Sequence, residues 1–221
     1  MRRVLQTMLL VTLCTVNALA QPQTLPPPFP RTNATKLFDN DRINVWDIVW
    51  PKGQPTALHR HVYDQVGTYY VRGGRTITTP DGQARSNMTE IGALSDTKRG
   101  TTHVEEGNTD PPLRAVFIEL KQDNPSGLPT AAGTPAFPRD GAKQVMDTPR
   151  VTAWDVVWAP SAFTYQAARE TVIVFLGDGQ VRRSSGLVPV KSGTMVHLDR
   201  GASEPLEMVS GSPRVLFFEL K

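Results

Sequence analysis

The sequence predicts an all-β chain built as two copies of one unit. Two observations carry the duplication. Trp46-Asp47-Ile48-Val49-Trp50 returns as Trp154-Asp155-Val156-Val157-Trp158, and Arg114-Ala115-Val116-Phe117-Ile118-Glu119-Leu120-Lys121 returns as Arg214-Val215-Leu216-Phe217-Phe218-Glu219-Leu220-Lys221. A third observation fixes the class. Short apolar runs are broken by Gly, Pro and Asp turn signals, and no stretch sustains a 3.6-residue apolar period, so helix is expected to be minor. Two units of roughly 70–80 residues with that rhythm point to sandwiches or barrels.

Taken in order, residues 1–20 read as a secretory signal peptide. Arg2-Arg3 give a basic start, Val4 to Leu13 is mostly apolar but too short to span a membrane, and Ala18-Leu19-Ala20 is a small-x-small cleavage site before Gln21. Leu13 before Cys14 is too bulky for a lipoprotein signal. The mature chain is therefore expected to be periplasmic or secreted, with no membrane association after cleavage. The one cysteine leaves with the signal, so no disulfide is available and the mature chain must build its own apolar core. About 200 residues suffice for that. Arg2 and Arg3 leave too, and 22 basic residues then face 21 acidic ones. A nearly neutral chain lacks the basic footprint of a nucleic-acid binder.

Gln21 to Pro30 contains five prolines, and residues 21–38 read as an extended arm. The first unit spans residues 39–121. Its runs are Ile43 to Trp50, Gly67 to Val71 closed by Gly73-Gly74, Arg75 to Thr79 before the Pro80-Asp81-Gly82 turn, and Ala115 to Leu120. Residues 122–146 read as the linker, rich in Pro, Gly and Ala. The second unit, residues 147–221, repeats the rhythm in Val151 to Trp158, Thr171 to Leu176, the Gly177-Asp178-Gly179 turn, Val196 to Leu198 and Val215 to Leu220. In the last strand of the first unit Val116, Ile118 and Leu120 share one face, and Ala115, Phe117 and Glu119 the other. The second face is expected to turn Phe117, and Phe217 likewise, toward the neighbouring unit, with a second sheet layer explaining the pattern equally well.

Three of the four histidines, His59, His61 and His103, lie in the first unit. Residues 59 and 61 are two apart, so on a strand both imidazoles point the same way, and Gln65 is in phase with them. Asp64 has the wrong parity. His103 follows Gly100-Thr101-Thr102 and must arrive from another strand. Neutral imidazoles converging on one point suit a borderline divalent metal and leave coordination positions open. A polar surface pair is the plainer alternative for His-x-His alone.

At these residues the chain resembles the cupin superfamily. That family's first motif, Gly-x5-His-x-His-x3,4-Glu-x6-Gly, is matched by Gly53, His59 and His61, with Gln65 in place of the glutamate and Gly73 beyond. Its second, Gly-x2-His-x3-Asn, is approximated by Gly100, His103 and Asn108 with one extra residue before the asparagine. The run His59-Arg60-His61-Val62-Tyr63-Asp64-Gln65-Val66 and the ending Phe117-Ile118-Glu119-Leu120-Lys121 are similar to small bacterial cupins of a β-alanine-degradation-like group. The resemblance covers both units and implies a bicupin: two tandem double-stranded β-helix (cupin, jelly-roll-like) barrels, each site lying inside its barrel.

The resemblance further implies a divalent transition metal (Fe, Mn, Ni, Cu or Zn) on His59, His61, Gln65 and His103. Tyr63 and Tyr69 share the odd-numbered phase and are expected to line the pocket, with a small organic molecule as ligand or substrate. Dioxygenase-like chemistry is one expectation, and a non-catalytic binding module the alternative. If a general base is needed, Asp64, Glu105 and Glu106 are the candidates, none well placed by parity. In the second unit Thr164, Gln166, Glu170 and His197 are expected to be the eroded, metal-free counterpart. Trp46, Trp50, Trp154 and Trp158 recur in both copies and read as packing residues. Arg114 and Arg214 recur likewise and read as structural. Barrels of this kind often pair edge to edge, so a homodimer is one assembly to test, and the sequence leaves the oligomeric state open.

Overall fold

The computed structural model describes residues 24–121 and 140–221; the expected signal peptide and most of the expected linker lie outside the described residues. Strands form where β-branched and aromatic residues cluster. In the first unit they are β1 (Ala34–Asp39), β2 (Ile43–Trp50), β3 (His59–Arg60), β4 (Asp64–Val71), β5 (Gly73–Thr78), β6 (Ala84–Thr89), β7 (Leu94–Thr97), β8 (Thr102–Gly107) and β9 (Leu113–Leu120). In the second they are β10 (Ala142–Asp147), β11 (Val151–Val157), β12 (Ala162–Gln166), β13 (Glu170–Phe175), β14 (Gly179–Arg183), β15 (Gly186–Val190), β16 (Met195–Leu198), β17 (Ser203–Ser210) and β18 (Arg214–Leu220). No helix occurs among the described residues, and none is therefore long and apolar enough to cross a membrane.

Each unit is a five-stranded sheet facing a four-stranded one. The orders are β1-β2-β9-β4-β7 with β3-β8-β5-β6, then β10-β11-β18-β13-β16 with β12-β17-β14-β15. Adding nine to each strand number turns the first pair of sheets into the second. The fold is two tandem double-stranded β-helix barrels. The copying extends to irregularities: β1 against β2 shifts register between Lys36 and Phe38, and β10 against β11 between Gln144 and Met146. β1 lies within the segment expected to be an arm and β10 within the expected linker, because each chain edge adds a strand to its sheet. Gly73-Gly74 does not close a strand either; both glycines begin β5, and the break falls at Arg72.

The two five-stranded sheets pack back to back. One apolar cluster joins Ile43, Val45, Val66, Val116, Ile118 and Leu120 of the first barrel to Val151, Val172, Val174, Leu216, Phe218 and Leu220 of the second. Phe117 lies instead among Trp46, Trp50 and Tyr69 inside the first barrel, and Phe217 among Trp158, Tyr165 and Phe175 inside the second. Of the two alternatives, Phe117 and Phe217 follow the second sheet layer and not the neighbouring unit. Both faces of these strands are apolar because both are buried, one in a barrel and one in the seam, and alternation alone could not say which was which. The repeated tryptophans are interior packing residues, as expected. Arg114 and Arg214 each hold the aspartate of the adjacent strand, Asp47 at 2.7 Å and Asp155 at 2.7 Å.

Packing is tight at the centre of the first barrel wall. Gly67 stands opposite Phe117, and a Cβ there would sit 2.3 Å from the Val116 carbonyl oxygen and 2.5 Å from Phe117 Cδ1. The oxygen is backbone in a paired strand and cannot move aside. Gly67→Ala is expected to cost about 1–3 kcal/mol or more through overpacking, a fall of several degrees in Tm by calorimetry. An unchanged Tm would contradict this packing.

The seam carries reciprocal ion pairs. Arg42 Nη1 donates to Glu170 Oε2 at 2.8 Å, and Arg150 Nη1 to Asp64 Oδ2 at 3.3 Å. The same arginines cap the other barrel's last strand, through Lys221 O and Leu120 O. Glu170 also accepts from Asn40 Nδ2 at 2.7 Å and lies 2.9 Å from His197 Nε2, while His197 stacks on Phe38. Burial pushes the Glu170 carboxyl up, but the His197, Asn40 and Arg42 contacts outweigh it and leave it below its ordinary value. A depressed carboxylate stabilises above its unfolded value and loses that contribution as pH falls through the folded one. Glu170→Gln is therefore expected to cost about 2 kcal/mol near neutral pH. The difference from the parent in urea midpoint should shrink below about pH 4. A constant difference across that range would show that the charge contributes nothing.

Candidate metal centre

β3 and β8 pair so that His59 stands directly opposite His103. Alternation buries His59 and His61 and exposes Arg60 between them. His61 follows the end of β3 but stays in the ladder, its amide donating to Thr101 O at 2.9 Å. The three rings converge, with centroids 4.8, 5.1 and 5.4 Å apart, and one nitrogen from each lies within 4.8 Å of the others. All three side chains are buried in the first barrel.

The donor set fits a transition metal. His59 Nδ1 is 3.0 Å from the Ala57 carbonyl and 3.4 Å from Thr56 Oγ1. The carbonyl can only accept, so it assigns the proton to Nδ1 and leaves the Nε2 lone pair facing inward, which is how metal-binding histidines are held. That Nε2 is buried with no hydrogen-bond partner. His61 Nε2 and His103 Nε2 are 3.3 Å apart. Two nitrogens at about 2.0–2.1 Å from one tetrahedral metal sit about 3.3 Å from each other. Burial lowers all three imidazoles, His61 and His103 to about 4; the His103 charge adds to the effect on His61, and Glu105 works against it at His103. At neutral pH the rings are uncharged and bind metal without releasing a proton.

Gln65 is fully buried, and its Nε2 also lacks a partner. It reaches the interior by a different route from that expected. The strand carrying His59 ends, the chain crosses between sheets at residues 61–64, and Gln65 sits on β4 opposite Glu119. The Glu119 carboxyl accepts from Trp46 Nε1 at 2.8 Å and Asn44 Nδ2 at 3.0 Å, and burial raises it above the ordinary value despite these bonds. Tyr69 is buried on the same face, its hydroxyl accepting from Arg75 Nη2 at 2.8 Å. Tyr63 lies half-buried in the bend before β4. Asp64 faces away from the histidines, held by the Arg99 amide and Arg150.

Glu105 was undervalued by parity. It lies two residues beyond His103 on β8 and shares its buried face, by the same alternation that joins His59 to His61. Its Oε1 is 3.8 Å from His103 Nε2 and accepts from Arg75, while Oε2 accepts from Arg31 at 3.0 Å and Trp50 Nε1 at 3.1 Å. Burial pushes the carboxyl up, but Arg75 and Arg31 outweigh it and hold it well below the carboxylate range. Arg31 carries no motif signal in the sequence, and only the fold brings it to Glu105.

Three of the expected second-barrel counterparts, Thr164, Gln166 and Glu170, each fall one residue short of the matching position, and His197 lies on β16, whereas the strand that matches β8 is β17. Gln65 pairs with Glu119 as Thr171 pairs with Glu219, and His61 bonds the Thr101 carbonyl as Ala167 bonds that of Ala202. The positions matching His59, His61, Gln65 and His103 are therefore Tyr165, Ala167, Thr171 and Glu204. Thr164 and Gln166 lie on the opposite face of β12, and Glu170 and His197 lie in the seam. A one-residue slip on a strand moves every side chain to the other face, which accounts for Thr164, Gln166 and Glu170, and His197 belongs to a different strand. Arg75 and Glu105 correspond to Val181 and Leu206, both in the second barrel's apolar core. Among the described residues no other His, Cys, Asp and Glu group has metal-binding geometry.

Fold and site together define a two-barrel cupin-fold protein with one three-histidine centre. Solved structures agree on the fold. A Cupin 2 conserved barrel domain protein from Leptotrichia buccalis is similar at TM-score 0.57 and 12% identity, over 85% of this chain and 88% of that one. AerE from Microcystis aeruginosa matches at 0.59 and 12%, over 89% and 98%. A salicylate 1,2-dioxygenase from Pseudaminobacter salicylatoxidans matches at 0.57 and 13%, over 81% and 71%. No family model and no curated protein matches the sequence.

Proposed function

We propose that the first barrel holds one divalent transition metal on His59, His61 and His103, with Gln65 as a further ligand, and acts on a small organic molecule as a metal-dependent oxidoreductase of the dioxygenase type. The asymmetry between the barrels carries this reading. The same fold is built twice, and the second copy fills the matching positions with Tyr165, Ala167, Val181 and Leu206. The fold does not require histidines, Arg75 or Glu105 there, so these answer to binding chemistry. The dioxygenase named among the fold neighbours is consistent with it but adds fold alone.

When bound, such a metal supplies Lewis acidity, and a redox-active one supplies electron transfer. The protein's own contribution is placement. Ala57 fixes the tautomer of His59, Arg75 and Arg31 keep Glu105 ionised beside His103, and Tyr69 orients Arg75. Because Glu105 is committed to two arginines, it offers no free base. That observation favours the second reading, a non-catalytic binder of metal or small molecule.

Oxygen uptake with phenolic and amino-acid-derived compounds, measured on metal-loaded protein, separates the two. Stoichiometric metal without turnover selects the binder. Less than about a tenth of a metal per chain under metal-replete conditions sinks the metal reading and leaves only the binder of a small molecule. The proposal includes export to the periplasm or beyond, on the strength of Arg2-Arg3, the apolar run and Ala18-Leu19-Ala20. Cell fractionation, with Gln21 found as the mature N-terminus, tests it. A homodimer is proposed for the assembly, and sedimentation tests that.

A further inference from the structure

A cavity of about 210 Å³ opens beside the histidine centre, between the segment carrying Arg31, the end of β2 and the loop before His59. Its polar lining includes Arg31, Asn33, Gln54 and Thr56, and its apolar lining includes Trp50 and Val49. No carboxylate lines it. We propose that this cavity binds a small carboxylate anion with an apolar body, anchored by Arg31.

Three observations support the site. First, Arg31 is largely buried, with 14% of its side chain exposed, yet among the described residues the only hydrogen bond of its side chain runs from Nη1 to Glu105. A guanidinium carries five N–H donors. Those on Nε and Nη2 have no partner among the described residues, and unlike Arg75 Nε they are not sealed from solvent. Their flat fork matches a carboxylate. Second, the local charge is unbalanced, since Arg31 and Arg75 converge on one carboxylate, Glu105. The surplus cation lies at the cavity, where an anion would neutralise it. Third, the dimensions and walls suit a small partly apolar acid. The volume equals roughly seven waters, and the Arg31 guanidinium already sits 5.7 Å from the Trp50 ring centroid, so a bound ligand would meet cation and aromatic surface together.

The cavity also touches the metal centre's supports without including its ligands. Thr56 and Ala57 line it and hold His59 Nδ1; Arg31 holds Glu105 beside His103. Occupancy would therefore be felt at two histidines through their partners. The site stands beside the metal reading and does not require it.

The test is calorimetric titration of the full chain, treated with chelator, using benzoate and its neutral isostere benzamide. Benzoate should bind about tenfold or more tightly than benzamide, and Arg31→Gln should weaken benzoate by about tenfold or more while leaving benzamide unchanged. Asn33→Asp, at an exposed position, should weaken benzoate in the same direction by placing a negative charge in the cavity, and it decides the matter if Arg31→Gln fails to fold. Equal binding of acid and amide, no binding of either, or benzoate affinity unaffected by the variants would overturn the proposal. Metal content, measured separately, keeps the readings apart: Arg31-dependent benzoate binding in a chain that takes up no metal sinks only the metal reading, and stoichiometric metal without benzoate binding sinks only this one.

Discussion

His103→Ala should remove the metal. Of the three proposed ligands, His103 is the one that joins the others: it pairs with His59 across β3 and β8, and its Nε2 lies 3.3 Å from that of His61. Without it two nitrogens remain, too few to hold a borderline metal against water and competing chelators. Loss of an outer-shell partner alone costs about 10–100-fold in metal affinity, so loss of a ligand should exceed about 100-fold. Elemental analysis after dialysis should fall from near one metal per chain to below about a tenth. The fold should persist, because the second barrel stands with Glu204 at that position. Circular dichroism would confirm a folded chain. Retention of stoichiometric metal by the folded variant would place the centre elsewhere.

The largest stability effect is expected at Glu105. Glu105→Ala leaves Arg75 buried, with 9% of its side chain exposed, and deprives Arg31 of its ion-pair partner as well. Breaking a buried pair by removing one member costs about 3–5 kcal/mol, because the remaining charge stays out of water without compensation. For a chain of this size that is a fall of roughly 6–20 °C in Tm. Replacing both members tests the cause. Arg75→Val with Glu105→Leu copies Val181 and Leu206, and should recover much of the loss that Glu105→Ala alone incurs. If the double variant is no more stable than the single, the charge argument is wrong and packing around Trp50 explains the effect. A single variant melting within a degree or two of the parent would remove the basis for both.

The comparison of these two barrels shows where sequence reasoning had purchase. Repeated blocks ending in Phe117-Ile118-Glu119 and Phe217-Phe218-Glu219 were legible as strands because β-branched and aromatic residues cluster in them, and Ile43–Trp50 was bounded correctly at both ends. His59 and His61 were legible as a pair because alternation is local. The same alternation places Glu105 on the face of His103, two residues further along β8. Phe117 was different. Both faces of its strand are apolar, so nothing in the sequence says which face meets the other barrel.

The duplication, the all-β class and the confinement of a histidine set to one copy were determined by the sequence alone. Each depends on residue identity and on a period of two, and both can be read along the chain. Tertiary structure alone decided which sheet meets which, that Glu170 and His197 lie in the seam, and that Arg31 reaches Glu105 across 74 residues. Such contacts depend on where the chain crosses between sheets. A crossing or a one-residue shift reverses the facing of everything after it, and local composition carries no trace of either.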